Sequence, residues 1–269
     1  MPGPGYVKDR GLRGIQHTDK SIRLGGASWI EPLGSVVFFD DFNGKALNAT
    51  DTWTSTATVG GTAAFDGDAG DPVAGHGGWL ALTVTADADA IEVAMTNETV
   101  KGGFRASRAG NGLMIFQTRA SIQQLTTRWD NCGFTDDETE GAAIAMSLST
   151  ATWTTAASDA ALWGFYSTAT DNDNWIGQTV DTNTDGTEVA SAVAAAANTA
   201  TVLRVEVDSA GGCYFYQSDG AVVDPVFQGS ETAVGLTETV PLIPYLALAG
   251  TAAATVTAEY DYVFAACAR

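Results

Sequence analysis

The chain has 269 residues, with 13 Lys and Arg against 32 Asp and Glu, a net charge of 13 − 32 = −19. Apolar residues make up 45% of it and charged residues 17%, which is too apolar for a disordered chain and ample for a buried core. So acidic a composition argues against nucleic acid, whose phosphates are held by Lys and Arg, and no run of roughly 18 apolar residues is present to cross a bilayer.

Residues 1 to 35 differ from the rest. Lys8, Arg10, Arg13, Lys20 and Arg23 stand against Asp9, Asp19 and Glu31, a net of 5 − 3 = +2, and the remainder carries 8 − 29 = −21. Met1-Pro2-Gly3-Pro4-Gly5 opens no apolar run, so no secretory leader is expected. The segment is rich in Gly and Pro, has no sustained period and reads as an extended N-terminal arm. Ile22, Leu24, Trp29, Ile30 and Leu33 are more apolar than a spacer needs, so a floppy terminus and a segment that orders on a partner are both open readings.

From residue 36 to 269 the pattern is that of strands. Leu80, Leu82 and Val84 alternate with small or polar neighbours, as do Met114, Phe116, Thr118, Ala120 and Ile122. The same period of two recurs at Ile144, Met146 and Leu148, at Leu203, Val205 and Val207, and from Val256 to Phe264. Gly, Asn, Asp and Ser clusters separate the runs, and Ser209-Ala210-Gly211-Gly212 reads as a hairpin connection. The Ala-rich stretch from Glu188 to Ala200 lacks a helical apolar stripe and reads as strand plus loop, with a short helix as the minority reading. Many strands with regular turns predict an all-β antiparallel sandwich. Cys132, Cys213 and Cys267 are too few and scattered for a disulfide framework or zinc site and read as buried thiols.

Several local patterns, in order, resemble the laminin-G/concanavalin-like jelly-roll superfamily over roughly residues 36 to 266. They are Phe38-Phe39-Asp40-Asp41-Phe42-Asn43-Gly44 with Asp51-Thr52-Trp53; Leu162-Trp163-Gly164-Phe165-Tyr166 with Asp173-Asn174-Trp175; Leu203 to Asp208 with Gly212-Cys213-Tyr214-Phe215-Tyr216; and Val240 to Tyr245 with Glu259-Tyr260-Asp261-Tyr262-Val263. The resemblance implies a two-sheet jelly-roll sandwich following the arm. Members of this superfamily include lectins, glycan hydrolases, adhesion modules and virion proteins, so the site residues must choose among them.

Hydrolases of this fold use Glu-x-Asp-x-x-Glu, which points its carboxylates one way along a strand. Glu206-Val207-Asp208 and Glu259-Tyr260-Asp261 both lack the third carboxylate and read as solvent-facing residues opposite an apolar face. His17 and His76 read as surface residues, and no nucleophile, zinc or P-loop motif is present. No enzymatic activity is therefore expected. Asp181-Thr182-Asn183-Thr184-Asp185-Gly186 matches the first half of a calcium loop, but position twelve is Ala192 in place of a bidentate Glu. Asp181, Asn183 and Asp185 are the calcium candidates, ordinary turn chemistry is the plainer reading, and no other cofactor is expected. A glycan would stack on exposed rings. Trp129 and Trp153 are the candidates, because both stand in stretches that read as loops.

The acidic, Gly-, Ala- and Thr-rich texture is similar in style to phage capsid decoration (cement) proteins. That likeness implies a virion protein of the capsid surface, assembled in the host cytoplasm as a homotrimer. It would dock on the major capsid protein through Lys8, Arg10, Arg13, Lys20, Arg23 and Trp29, with no nucleic-acid or membrane partner. The alternative is a carbohydrate-binding or adhesive module that recognises a host-surface glycan.

Overall fold

A computed structural model describes residues 22–24, 28–30, 35–42, 52–58, 60–66, 78–95, 104–106, 113–139, 144–150, 152–168, 174–218 and 224–268. These residues build two eight-stranded antiparallel sheets, and among them there is no α-helix. With strands numbered along the chain, the first sheet runs β14 (Thr184–Asp185), β13 (Asn174–Asp181), β12 (Ala160–Tyr166), β9 (Arg128–Thr135), β19 (Ile243–Gly250), β7 (Ala90–Met95) and β4 (Trp53–Ala57), with β15 (Val189–Ala194) also on β13. The second runs β18 (Val226–Glu231), β17 (Cys213–Gln217), β16 (Thr201–Val207), β8 (Met114–Ile122), β20 (Val256–Ala268), β6 (Trp79–Val84) and β5 (Thr62–Asp66), with β3 (Ser35–Asp40) on β20. Two hairpins complete the set, β1 (Ile22–Leu24) with β2 (Ser28–Ile30), and β10 (Met146–Ser149) with β11 (Thr152–Thr155).

The alternation in sequence fixes which face is inside. Leu80, Leu82 and Val84 of β6, Met114, Phe116 and Ile122 of β8, and Leu203, Val205 and Val207 of β16 all enter the main core. From the first sheet come Phe134, Trp163, Phe165 and Trp175. The sheets meet ring to ring, Trp163 against Phe215 at 5.3 Å and Phe116 against Phe134 at 5.7 Å. The indole N–H of Trp163 donates across the interior to the Arg204 carbonyl at 3.0 Å, so a large buried ring keeps its one polar atom satisfied.

The hairpin expected at Ser209-Ala210-Gly211-Gly212 forms, and the Leu162–Tyr166 and Asp173–Trp175 patterns pair as a second one. Val207 pairs with Cys213 around the glycine turn, and Phe165 pairs with Trp175. The Ala-rich stretch is a strand, Val189–Ala194, followed by loop, since pairing with β13 outweighs alanine's intrinsic helix preference. All three cysteines are buried thiols, and burial holds those of Cys132 and Cys213 well above the ordinary range. Of the segment read as an arm, the described part is the β1–β2 hairpin; Lys8, Arg10, Arg13, Lys20 and His17 lie outside the described residues, as does His76. Arg23 and Trp29 are cross-strand partners in that hairpin.

Candidate glycan-binding face

The outer face of the first sheet, turned away from the core, carries the side chains that matter. On β9 and β12 the register partners Trp129 and Tyr166 stand side by side on this face. Ile176 of β13 lies one strand over and packs with Tyr166 and Leu148 in a cluster of its own. The β10–β11 hairpin folds over this cluster and brings Trp153 onto it, with the Trp153 and Tyr166 rings edge to face at 5.2 Å and 88°. Both candidate tryptophans therefore join one aromatic patch, although 24 positions separate them in sequence.

Each ring keeps a polar edge at the surface. Trp129 donates its indole N–H to Thr168 Oγ1 at 2.7 Å, and Trp153 donates to Glu188 Oε1 at 3.2 Å. Trp129 and Trp153 are half-buried, and Thr168 and Glu188 are exposed. Tyr166 is buried, and its hydroxyl accepts from Asn131 Nδ2 at 3.0 Å. Burial pushes the Tyr166 hydroxyl far above its usual range, so this ring is a neutral platform.

The rest of the outer face is roofed. Met146 donates its backbone N–H to Asn131 Oδ1 at 2.9 Å, and Ala145 donates to the Tyr245 hydroxyl at 3.0 Å. Tyr245 in turn donates to Glu92 Oε2 at 2.8 Å. Thr54 donates to Glu138 at 2.7 Å on the far side of the sheet. Side chains from β9, β19, β7 and β4 thus hold Glu138, Ala145 and Met146 over this face. The aromatic patch sits where this roof ends.

Two expectations need correction. Trp129 and Trp153 stand on strands, β9 and β11, and not in loops. Arg128 and Asp130 misled the reading of β9, since both are charged and both are fully buried on its core face. Arg128 Nε donates to Asp130 Oδ2 at 2.6 Å, and Arg128 Nη1 reaches across to the Thr257 carbonyl at 2.7 Å. Second, Glu206 and Glu259 are not solvent-facing but buried, with Arg204 donating to Glu206 at 3.1 Å and Gln123 donating to Glu259 at 2.7 Å. The Asp181–Asp185 motif follows its plainer reading and is a tight hairpin turn. Asp181 pairs with Thr184, and Thr182 and Asn183 between them both have positive φ, 50° and 61°. That geometry turns the two carboxylates to different partners, Asp181 to the Thr237 hydroxyl and Asp185 to the Thr155 hydroxyl. Among the described residues no group of three His, Cys, Asp or Glu side chains is placed to hold a metal ion.

No protein-family model matches the chain, and no curated protein matches it in sequence. In fold it is similar to several solved structures. One is a protein of unknown function from Shewanella oneidensis MR-1, with a TM-score of 0.58 at 12% identity over 87% of each chain. Another is a β-glucanase of Bacillus licheniformis, at 0.51 and 13% over 85% of this chain and 97% of the other. A third is the carbohydrate recognition domain of Emp47p, at 0.51 and 10% over 87% and 95%. At such identities the likeness is one of fold, and the fold is the concanavalin-like jelly roll that the sequence resembles. The expectation of no enzymatic activity is overturned on the same finding: the architecture is one that a β-glucanase uses, so a missing sequence motif does not exclude glycan chemistry.

Proposed function

We propose that the chain recognises a glycan through the patch of Trp129, Trp153 and Tyr166. The observation that carries this reading is the convergence of two half-buried indoles and a neutral phenol ring on one sheet face, with their polar edges at Thr168 and Glu188. A sugar ring offers an apolar C–H face to such rings and equatorial hydroxyls to the groups around them. Asn174, two residues from Ile176 on the same face of β13, adds a further polar side chain. The fold shared with a carbohydrate recognition domain and a β-glucanase supports the same substrate class.

Affinity electrophoresis of the full chain through a panel of polysaccharides, with reducing ends assayed in parallel, tests this. Retardation by at least one polysaccharide is expected, weakened on the order of tenfold by Trp129→Ala or Trp153→Ala, the loss of one stacking contact. Unchanged mobility in every gel, or retardation indifferent to both substitutions, would sink the reading. Release of reducing ends would place the chain among proteins that cleave what they bind.

A second reading, a decoration subunit on a phage capsid, is supported by the charge split between residues 1–35 and the rest. In it the basic segment meets the major capsid protein and three copies share a lattice axis. Cosedimentation of the chain with assembled capsids, lost on Lys8→Glu and Arg10→Glu, supports it, and a chain left in the supernatant argues against it.

A further inference from the structure

A cavity of about 50 Å³, partly open to solvent, lies between the two sheets. Trp175 of β13 walls it from the first sheet, and Ala120 and Ile122 of β8 wall it from the second. All three belong to the main core, so the cavity reaches into the interior of the sandwich. A further wall is the stretch from Val193 to Ala196, where three alanines in a row present only methyl groups. Side chains so short leave the space beside Trp175 unfilled. The segment that carries this wall is tied down: Asn198 donates its backbone N–H to the Ile122 carbonyl at 2.8 Å, and Thr199 donates to the Ala196 carbonyl at 3.2 Å. The cavity is therefore preformed.

Gln217 brings a polar group into this apolar space. On β17 it follows Cys213 and Phe215 at two-residue spacing, and both of those are core, so its side chain points inward as theirs do. It lines the cavity and is only 1% exposed. Its Nε2 donates to the Val193 carbonyl at 3.3 Å, which fixes the nitrogen on that side of the amide, and its Oε1 has no hydrogen-bond partner. The hydroxyls nearby are engaged. Thr201 donates to the Ser218 carbonyl at 2.7 Å, and Ser218 Oγ accepts from the Val202 N–H at 2.7 Å. A buried acceptor without a partner is costly, and one in a cavity wall is a docking point for a donor.

We propose that this cavity binds small neutral alcohols, the hydroxyl donating to Gln217 Oε1 and the carbon end lying against Trp175 and Ile122. Size sets the class. An apolar cavity of about 150 Å³ takes up benzene, so one of about 50 Å³ suits a molecule of a few heavy atoms. Charge excludes anions, because no Lys or Arg is among the residues lining the cavity and an amide oxygen repels a carboxylate. Water also carries a donor, but an alkyl end covers the apolar walls as water does not. The cavity lies on the core side of β13, and the aromatic patch lies on the outer face of the sheet, so this site does not depend on the glycan reading.

Three molecules of one shape provide the test. 2-Propanol, acetone and acetate each have four heavy atoms in a Y, and only 2-propanol donates a hydrogen bond. The full chain, with its alanine methyls labelled with carbon-13, is titrated with each and followed by NMR. The Ala120 methyl signal is expected to move saturably with 2-propanol, with a dissociation constant in the millimolar range, as befits so small a ligand. Acetone and acetate should bind roughly tenfold more weakly or not at all. Gln217→Leu removes the acceptor and should bring 2-propanol down to the level of acetone. Ala195→Leu, at a half-buried loop position, fills the cavity and should abolish the saturable shift, which keeps the proposal testable if the Gln217 variant does not fold. Shifts that only drift linearly with 2-propanol, equal binding of all three molecules, or a titration unchanged by Ala195→Leu would overturn the proposal.

Discussion

Gly164 and Tyr166, two residues apart on β12, occupy one space: a Cβ at position 164 would overlap the hydroxyl and ring of Tyr166. The ring therefore lies back along its own strand over the glycine, where Trp153 meets it edge to face and Asn131 holds its hydroxyl. The glycine makes room for the aromatic patch. Gly164→Ala should push the Tyr166 ring outward against Trp153 and cost about 1–3 kcal/mol, as overpacking of a buried site does. Urea denaturation measures the cost. On the glycan-binding reading the same variant should also weaken retardation by polysaccharide, because the spacing of the rings changes while all three remain.

Asn131 links the sheet to the roof above it. Its amide nitrogen donates to Tyr166 and to the Asp130 carbonyl, and its oxygen accepts from the Met146 N–H. Asn131→Ala leaves a buried backbone donor without this partner, at about 1–3 kcal/mol. The loss should be felt first in the β10–β11 hairpin, which the bond to Met146 anchors. Limited proteolysis should cut the variant near Thr150 faster than the wild-type chain, with cleavage elsewhere little changed. Equal cutting rates would mean that Tyr245 and the Leu148 contacts alone hold the hairpin.

The sequence made some of this legible and concealed the rest, for identifiable reasons. Strands β6, β8, β16 and β20 alternate apolar with polar or small residues and are readable as strands, although β8 and β16 bury nearly all of their polar face as well. Strands β7, β12 and β19 are buried throughout, because the roof covers their second face, so period-two alternation fades in Ala160–Tyr166 and Ile243–Gly250. The candidate tryptophans were visible as residue types. Their convergence was not, since the core-facing Arg128 and Asp130 made β9 look like a loop and Trp153 reaches the patch only through a hairpin that folds across the sheet. Tyr166 stood only as the last residue of the Leu162–Tyr166 pattern, and the glycine two positions before it was the one local sign of its special placement.

Glu231, at the end of β18, governs a local acid response. Burial by itself would raise its pKa, but backbone N–H groups of Val234, Thr187 and Ala233 point at the carboxylate and hold it below the ordinary 4.5. The native state therefore keeps this group charged at a pH where the unfolded chain has taken up a proton. Its stabilisation is complete above about pH 4.5 and is lost as the pH falls through the lower native value. Glu231→Gln should cost about 1 kcal/mol at pH 7, since a neutral amide oxygen accepts these bonds less strongly. The gap between variant and wild type should narrow steadily below pH 4.5 in urea titrations. A gap independent of pH would assign the loss to packing.

The Arg128–Asp130 pair lies inside the sandwich, with both side chains fully buried. Burial is the largest influence on Asp130 and pushes its pKa up, and the Arg128 guanidinium beside it works in the opposite direction. Arg128 also donates to the Thr257 carbonyl, so it ties β9 of the first sheet to β20 of the second. Arg128→Met keeps most of the volume but leaves Asp130 without its counter-charge, and should cost about 3–5 kcal/mol. Asp130, already raised by burial in the wild type, would then take up a proton more readily still, so the variant should regain more of its stability as the pH is lowered than the wild type does at this site. Adding Asp130→Leu removes the stranded carboxyl and should recover a large part of the loss, because a well-packed apolar pair often matches a buried ion pair in stability. A double variant no more stable than Arg128→Met would instead locate the cost in the lost tie to Thr257, and unfolding measured for both variants between pH 4 and pH 8 separates the two causes.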